Sequence, residues 1–248
     1  MKFASVLLAA AAVLGVSPVA STADAKDGAI RVAVYRGYAS CDNCSETVKS
    51  AIENIDSRYR VDFVGPGERI DISTESLAGY DIYVQPGGGQ DIPGALNSLG
   101  DDRVAAIQSY VAHGGRYLGL CMGAYLADAS NIGLIPHDLD SEVGRPGFPV
   151  KTIDDEAVAV RWDGRRESVF FQDGPYLWPA SGDAGFREIA RYENGDLAAA
   201  RYSHGQGLVV LTGPHPEADE AWFEDADIPL DKMPSRDLIK GLLSQLGV

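Results

Sequence analysis

Cysteine acts as a nucleophile where its thiolate is favoured and a base stands close by, and one of the three cysteines in this 248-residue chain is placed for both. Cys121 lies in Gly119-Leu120-Cys121-Met122-Gly123-Ala124, directly after the short run Gly115-Arg116-Tyr117-Leu118-Gly119-Leu120. The run reads as a buried strand and the residues behind it as a helix, so Cys121 falls on the turn between them. A nucleophile elbow forces its central residue into strained backbone geometry, and flanking glycines let the helix pack close behind the strand. A thiol at a helix N-terminus also feels the positive end of the helix dipole, which favours the thiolate. Taken alone, the pattern is equally that of a buried cysteine that fills space.

A second segment supplies the partners that a thiol needs. The run Leu208-Val209-Val210-Leu211-Thr212 ends in Gly213-Pro214-His215-Pro216-Glu217, which puts a histidine and a carboxylate just past a strand's C-terminal end. In an extended segment, residues two apart point to the same side, so Glu217 is placed to hold the His215 imidazole in one tautomer while His215 faces Cys121. Farther upstream, Pro86-Gly87-Gly88-Gly89-Gln90-Asp91 presents bare amides on a turn. With the Met122 N–H, those amides form a candidate oxyanion hole, an ordinary glycine turn being the alternative.

These groups converge only if the chain places their strands side by side. Ile30–Tyr35 reads as a strand, Asp42 to Ile55 as an amphipathic helix, Tyr59–Val64 and Tyr80 to Gln85 as strands, and about Asp101 to His113 as a helix leading to the Cys121 strand. This alternation implies an α/β fold with a parallel sheet covered on both faces, whose sites form at the C-terminal ends of the strands. From Ser141 to Arg201 the pattern turns β-rich and irregular, with turn signals at Arg145-Pro146-Gly147, Asp163-Gly164, Asp173-Gly174 and Asn194-Gly195. It reads as an insertion of antiparallel strands near the sheet's edge, followed by the return strand that carries His215. The aromatic residues between Phe170 and Trp178 are expected to pack this insertion. A helix from Ser235 to Leu246 is expected to close the domain.

The first residues address a different question. Met1-Lys2-Phe3, the apolar stretch Ala4 to Val16 and the small-x-small Ala23-Asp24-Ala25 resemble a cleavable secretory signal over residues 1–25, leaving 26–248 as one domain. The apolar stretch is broken by Gly15, Ser17 and Pro18 and falls short of the roughly 20 residues of a membrane span. A periplasmic or secreted protein with no stable membrane anchor after cleavage is therefore expected. The net charge of −15 argues against a nucleic-acid partner. No cofactor motif, calcium loop or histidine pair with ligand spacing is read, and no metal site is assigned.

Cys41-Asp42-Asn43-Cys44 lies between the first strand and the first helix, and three readings of it are open. A disulfide capping the helix suits an oxidising compartment, a redox-active dithiol suits a C-x-x-C at a helix start, and two thiolates suit Cu(I).

With Pro86-Gly87-Gly88, Gly119-Leu120-Cys121-Met122-Gly123 and His215-Pro216-Glu217 in order, the chain resembles class I glutamine amidotransferase-like domains, whose flavodoxin-like sheet carries a Cys-His-Glu triad. Gly119 to Ala127, Asp173-Gly174-Pro175-Tyr176 and Gly205-Gln206-Gly207 through Glu217 resemble, more closely, the biotin-protein ligase N-terminal domain family. The resemblance implies a flavodoxin-like three-layer sandwich with a mostly parallel central sheet and an antiparallel β insertion. It makes Cys121 the nucleophile, His215 its base, Glu217 the orienter, and Gly88 and Met122 the amide donors. Gly87, Tyr125, Asp173 and Tyr176 are read as substrate-pocket candidates. Glutamine-using members tend to read G-x-C-x-G-x-Q, and Tyr125 stands where that glutamine would be, which speaks against glutamine as substrate. No synthetase or biotin-ligase catalytic sequence is recognised, so biotin ligation by this chain alone is not expected.

The expected function is that of an exported cysteine hydrolase acting on a small-molecule or peptide amide, or a related carbonyl. Two alternatives stand beside it: a non-catalytic module that binds a ligand or partner on the same fold, and a thiol-redox protein using Cys41 and Cys44.

Overall fold

The computed structural model describes residues 28–248, so the signal-like segment 1–25 lies outside the described residues. Strand β1 (Ile30–Tyr35) sets the architecture, because it is apolar on both faces. Val32 and Val34 belong to one buried cluster, with helices α1 (Cys44–Ile55) and α7 (Leu238–Gln245), while Ala33 and Tyr35 belong to a second. That second cluster includes residues of α2 (Thr74–Leu77), α3 (Ile92–Leu99), α4 (Asp101–Ala112) and α5 (Met122–Leu126). A strand buried on both faces belongs inside a sheet with helices above and below it, and three layers follow.

The other strands of that half are β2 (Tyr59–Val64), β3 (Ile82–Gln85), β4 (Arg116–Leu120) and β11 (Gly207–Thr212). They lie in the order β2-β1-β3-β4-β11 with all four pairings parallel. Between β4 and β11 the chain forms β5 (Asp140–Ser141), β6 (Glu156–Trp162), β7 (Arg165–Phe171), β8 (Pro175–Tyr176), β9 (Arg187–Tyr192) and β10 (Leu197–His204). The longer four extend the same sheet beyond β11 as β10-β9-β6-β7, entirely antiparallel, and β5 pairs with β8 apart from it. The fold is thus α/β and flavodoxin-like, with an antiparallel extension of the parallel sheet.

Two helix starts and one unexpected helix differ from the sequence expectation for local reasons, and β3 begins at Ile82 rather than Tyr80. The first helix starts at Cys44 rather than Asp42, because Asn43 has φ 65°, outside helical space. The last begins at Leu238 rather than Ser235: Asp237 caps it, accepting from the Lys240 N–H at 2.8 Å, while Ser235 donates its N–H and hydroxyl to Glu167. Helix α3 was obscured in the sequence by Pro93 and Gly94, which sit in its first turn, where a missing N–H is tolerated. A short helix α6 (Glu220–Asp225) follows the His215 segment and packs Phe223 against Phe170 of β7.

The β4–α5 junction is unusually close. A Cβ on Gly119 would lie 2.5 Å from the Gly123 carbonyl oxygen, and one on Gly123 would overlap the carbonyl oxygen of Gln85 at the end of β3. Gly119→Ala and Gly123→Ala are each expected to lower stability by about 1–3 kcal/mol, read as a lower urea midpoint. Gly89→Ala, which meets nothing within 4 Å, should leave that midpoint near its starting value.

The loop after β1 is tied to the loop after β3 through hydrogen bonds. The Cys41 N–H donates to the Gly87 carbonyl at 3.0 Å, and Gln85 donates its side-chain amide to the Ala39 carbonyl at 2.7 Å. Cys41 and Cys44 are joined as a disulfide, with Cα atoms 5.2 Å apart. Loop-closure entropy gives a bridge over so short a span about 2 kcal/mol. The Cys41→Ser/Cys44→Ser double variant is expected to lose about that much in a urea titration run without reductant.

Candidate active site

Cys121 connects β4 to α5 with φ 48° and ψ −107°, a left-handed backbone in a residue that has a Cβ. Its N–H donates to the Thr212 carbonyl at 2.9 Å, which fixes the elbow to the end of the neighbouring strand β11. Behind it, the Ala124 N–H donates to the Cys121 carbonyl at 2.8 Å, and the Tyr117 hydroxyl donates to the Gly123 carbonyl at 2.7 Å. These bonds and the glycine contacts above hold the strained residue in place. It is the free cysteine among the described residues, and it is 5% exposed.

Three residues past β11, His215 is 4% exposed. Glu217 Oε1 lies 2.9 Å from His215 Nδ1; the pairing expected from the spacing forms, but through a turn at Pro216 and Glu217, closed by the Ala218 N–H donating to the His215 carbonyl, rather than along an extended segment. The other oxygen, Oε2, is buried with no hydrogen-bond partner among the described residues. Phe170 and Trp222 enclose the imidazole, with ring centroids 6.1 and 5.2 Å from it. Burial by itself disfavours a charged imidazole, but the electrostatic influence of Cys121 and Glu217, with the hydrogen bond to Glu217, holds His215 well above the ordinary histidine pKa. The structure therefore pairs His215 with Glu217 and sets the pair just past the end of β11, next to the β4 end that carries Cys121.

The insertion takes part in this arrangement. The last residues of β7 return to the His215 segment, where the His215 N–H donates to the Phe170 carbonyl at 2.8 Å. Two residues on, the Gln172 carbonyl accepts from Cys121 Sγ at 3.4 Å. Sequence reasoning missed Gln172, because a backbone carbonyl has no residue-type signature. The turn that follows has Asp173 at φ 47°, and a Cβ on Gly174 would overlap the Gly213 carbonyl oxygen. This close approach is the physical content of the Asp173-Gly174-Pro175-Tyr176 motif.

A cavity of about 200 Å³ opens beside the sulfur, lined in part by Gly88, Cys121, Met122, Tyr125 and Asp173. Gly88 and Met122 are in direct apposition, since a Cβ on Gly88 would overlap the Met122 side chain. Tyr125 donates its hydroxyl to the Asp173 carbonyl at 3.0 Å, and burial followed by the nearby charges of Cys121 and Asp173 raises its pKa, keeping the phenol neutral. Two of the pocket candidates are placed elsewhere. Gly87 lies against the imidazole, where a Cβ would come 2.5 Å from His215 Cε1, and Tyr176 packs under the Arg145 guanidinium, 3.7 Å from its ring centroid.

The charge on His215 has a direct consequence for stability. With the folded-state pKa raised, its contribution is complete below about pH 6.5, the ordinary histidine value, and is lost as pH rises through the higher folded-state value. An NMR titration of the imidazole is expected to place His215 above that ordinary value, and Glu217→Gln, which removes the carboxylate bonded to it, to lower it.

Comparison with known proteins places this geometry. Residues 30–143 match the family described as biotin-protein ligase, N terminal. A biotin–protein ligase of Schizosaccharomyces pombe is 30% identical over 218 residues, which take in 76% of this chain and 33% of that protein. The chain thus spans about a third of the length of the curated relative it matches. Among solved structures, a glutamine amidotransferase superimposes with a TM-score of 0.59 at 16% identity, covering 88% of this chain and 99% of the other. PurLQS from Thermotoga maritima gives 0.60 at 16% identity, with the same two coverages. At such identities these two carry the fold alone. Through residues 30–143 the chain belongs to the biotin-protein ligase N-terminal domain family, on the fold of the class I glutamine amidotransferases.

Proposed function

We propose that this chain is an exported cysteine-dependent amidase or related hydrolase, with Cys121 as nucleophile, His215 as general base and acid, and Glu217 as the group that orients it. The observation that carries the reading is the left-handed Cys121 at a cavity mouth, with a buried His215–Glu217 pair beside it. Export is supported by the signal-like pattern of Met1 to Ala25.

In this reading the Cys121 sulfur attacks a carbonyl carbon, and the negative charge that develops on oxygen is met by the Gly88 and Met122 N–H groups. The C–N bond breaks, His215 passes the thiol proton to the departing amine, and an acyl thioester remains on Cys121. Water then gives a proton to His215 and its oxygen to the acyl carbon. The carboxylic acid leaves, and the proton returns to sulfur. Glutamine is not proposed as the substrate, because Tyr125 and its bond to Asp173 occupy the place where the fold's glutamine users carry their glutamine side chain.

A second reading is favoured by the Cys121 Sγ bond to the Gln172 carbonyl, which also suits a resting thiol in a pocket that binds without turnover.

Iodoacetamide and an activated acyl ester separate the two. The enzyme reading expects alkylation of Cys121 faster than that of free cysteine, one equivalent of acyl group per chain, and a fall of about 10²–10⁴-fold in acylation for His215→Ala. Labelling no faster than free cysteine, and indifferent to His215→Ala, would overturn it in favour of the binding module.

A further inference from the structure

Three cavities meet around Cys121. The one at the sulfur shares Gly89, Gln90 and Met122 with a second, beside the Cys41–Cys44 loop, and shares Gln172 with a third, between that loop and α6. The second and third share Cys41 and Asp42. The three cavities thus border one another, with Cys121 lining the first.

The charged side chains that line these cavities are aspartates, His215 being outside all three linings. Asp140 and Asp173 line the cavity at the sulfur, Asp42 and Asp91 the second, and Asp42, Asp155 and Asp225 the third; among the described residues no lysine or arginine lines any of them. The acidity of the chain as a whole does not account for this, since 21 lysines and arginines are available. A concavity elsewhere, against β6, β7 and β9, is lined by Arg161, Arg166 and Arg191 with Glu193 as its one carboxylate. These six aspartates come from six separate places in the chain and share only this location.

We propose that the substrate of this site is a cationic chain, an amide flanked by positively charged groups in the manner of a lysine- or arginine-containing peptide. The inference rests on the reading of Cys121 as nucleophile and deepens it. A free α-carboxylate, such as glutamine carries, would enter against Asp140 and Asp173 with no cation among the lining residues to receive it. A basic chain would instead find carboxylates on each side of the reacting carbonyl, and low-dielectric walls focus such a field at the mouth.

Cys121, the free thiol among the described residues, reports on the field directly. Methanethiosulfonates of opposite charge, trimethylammonium-ethyl and sulfonato-ethyl, form a mixed disulfide with it and release methanesulfinate. Their rate ratio on the intact protein, divided by the ratio for mercaptoethanol, is expected to favour the cation by about tenfold or more at low salt and to shrink as salt rises. Asp140→Asn/Asp173→Asn should bring the ratio towards that of mercaptoethanol, whereas Asp101→Asn/Asp102→Asn on α4 removes the same charge at a distance and should move it far less. A five-residue lysine peptide should protect Cys121 from iodoacetamide, and a glutamate peptide of equal length should not. A ratio equal to that of mercaptoethanol, equal effects of the two double variants, or equal protection by the two peptides would overturn the proposal. Labelling indifferent to His215→Ala would instead sink the triad and leave the charge preference standing, so the two failures are distinguishable.

Discussion

The backbone of Cys121 is the constraint on which the rest of the site depends. A residue with a Cβ held at φ 48° is strained by roughly 1–3 kcal/mol, and it persists only where its surroundings leave no alternative. Here the surroundings are covalently remote. The Thr212 carbonyl holds the Cys121 N–H, and α5 lies so close behind β4 that glycine is required at 119 and 123. Gly123 in turn abuts the end of β3, immediately before the Pro86–Gly89 loop. Three neighbouring parallel strands, β3, β4 and β11, therefore fix the elbow, the amide-bearing loop and the histidine by the same packing.

The antiparallel half of the sheet completes what the parallel half begins. Its outermost strand, β7, returns so that the Phe170 carbonyl pairs with the His215 amide and the Gln172 carbonyl meets the Cys121 sulfur. The Phe170 ring, with Trp222 of α6, removes water from the imidazole. Dehydration by itself would favour the neutral ring. It also strengthens the interactions of the ring with Glu217 and Cys121 in the same space, and these prevail. Aromatic residues that serve as packing for the insertion thus also set the electrostatics of the histidine.

The parts legible in the sequence are those fixed by local pattern. The apolar run of β1, the glycines around Cys121 and the closeness in sequence of His215 and Glu217 each depend on a few neighbouring residues, and the structure buries β1, packs α5 close behind β4 and pairs His215 with Glu217. What could not be read depends on pairings made across the chain. The bridge from Phe170 to His215 and the carbonyl of Gln172 are backbone features with no compositional trace. Gly87 and Tyr176 were assigned to the pocket from their position beside motif residues. One is instead a clearance for the imidazole and the other a platform for Arg145, because adjacency in sequence does not specify which side of a turn faces the cavity.

The division between the two halves of the sheet bears on how such a site can change its substrate. Cys121, His215 and Glu217 are positioned by strands whose glycines and buried side chains tolerate little alteration. The cavity wall opposite comes from outside the parallel strands: Asp140 and Ser141 of the two-residue β5, Gln172 and Asp173 after β7, and Asp42 in the loop beside the disulfide. Loops accept substitution at small energetic cost, and a cavity wall senses substrate without carrying the fold. A common elbow can therefore serve different carbonyl compounds while its reacting atoms stay in register, with specificity residing in residues that neither β4 nor β11 needs. Tyr125 marks the boundary between these regimes, since it stands on the rigid helix behind the nucleophile yet bonds to the Asp173 carbonyl of the variable wall.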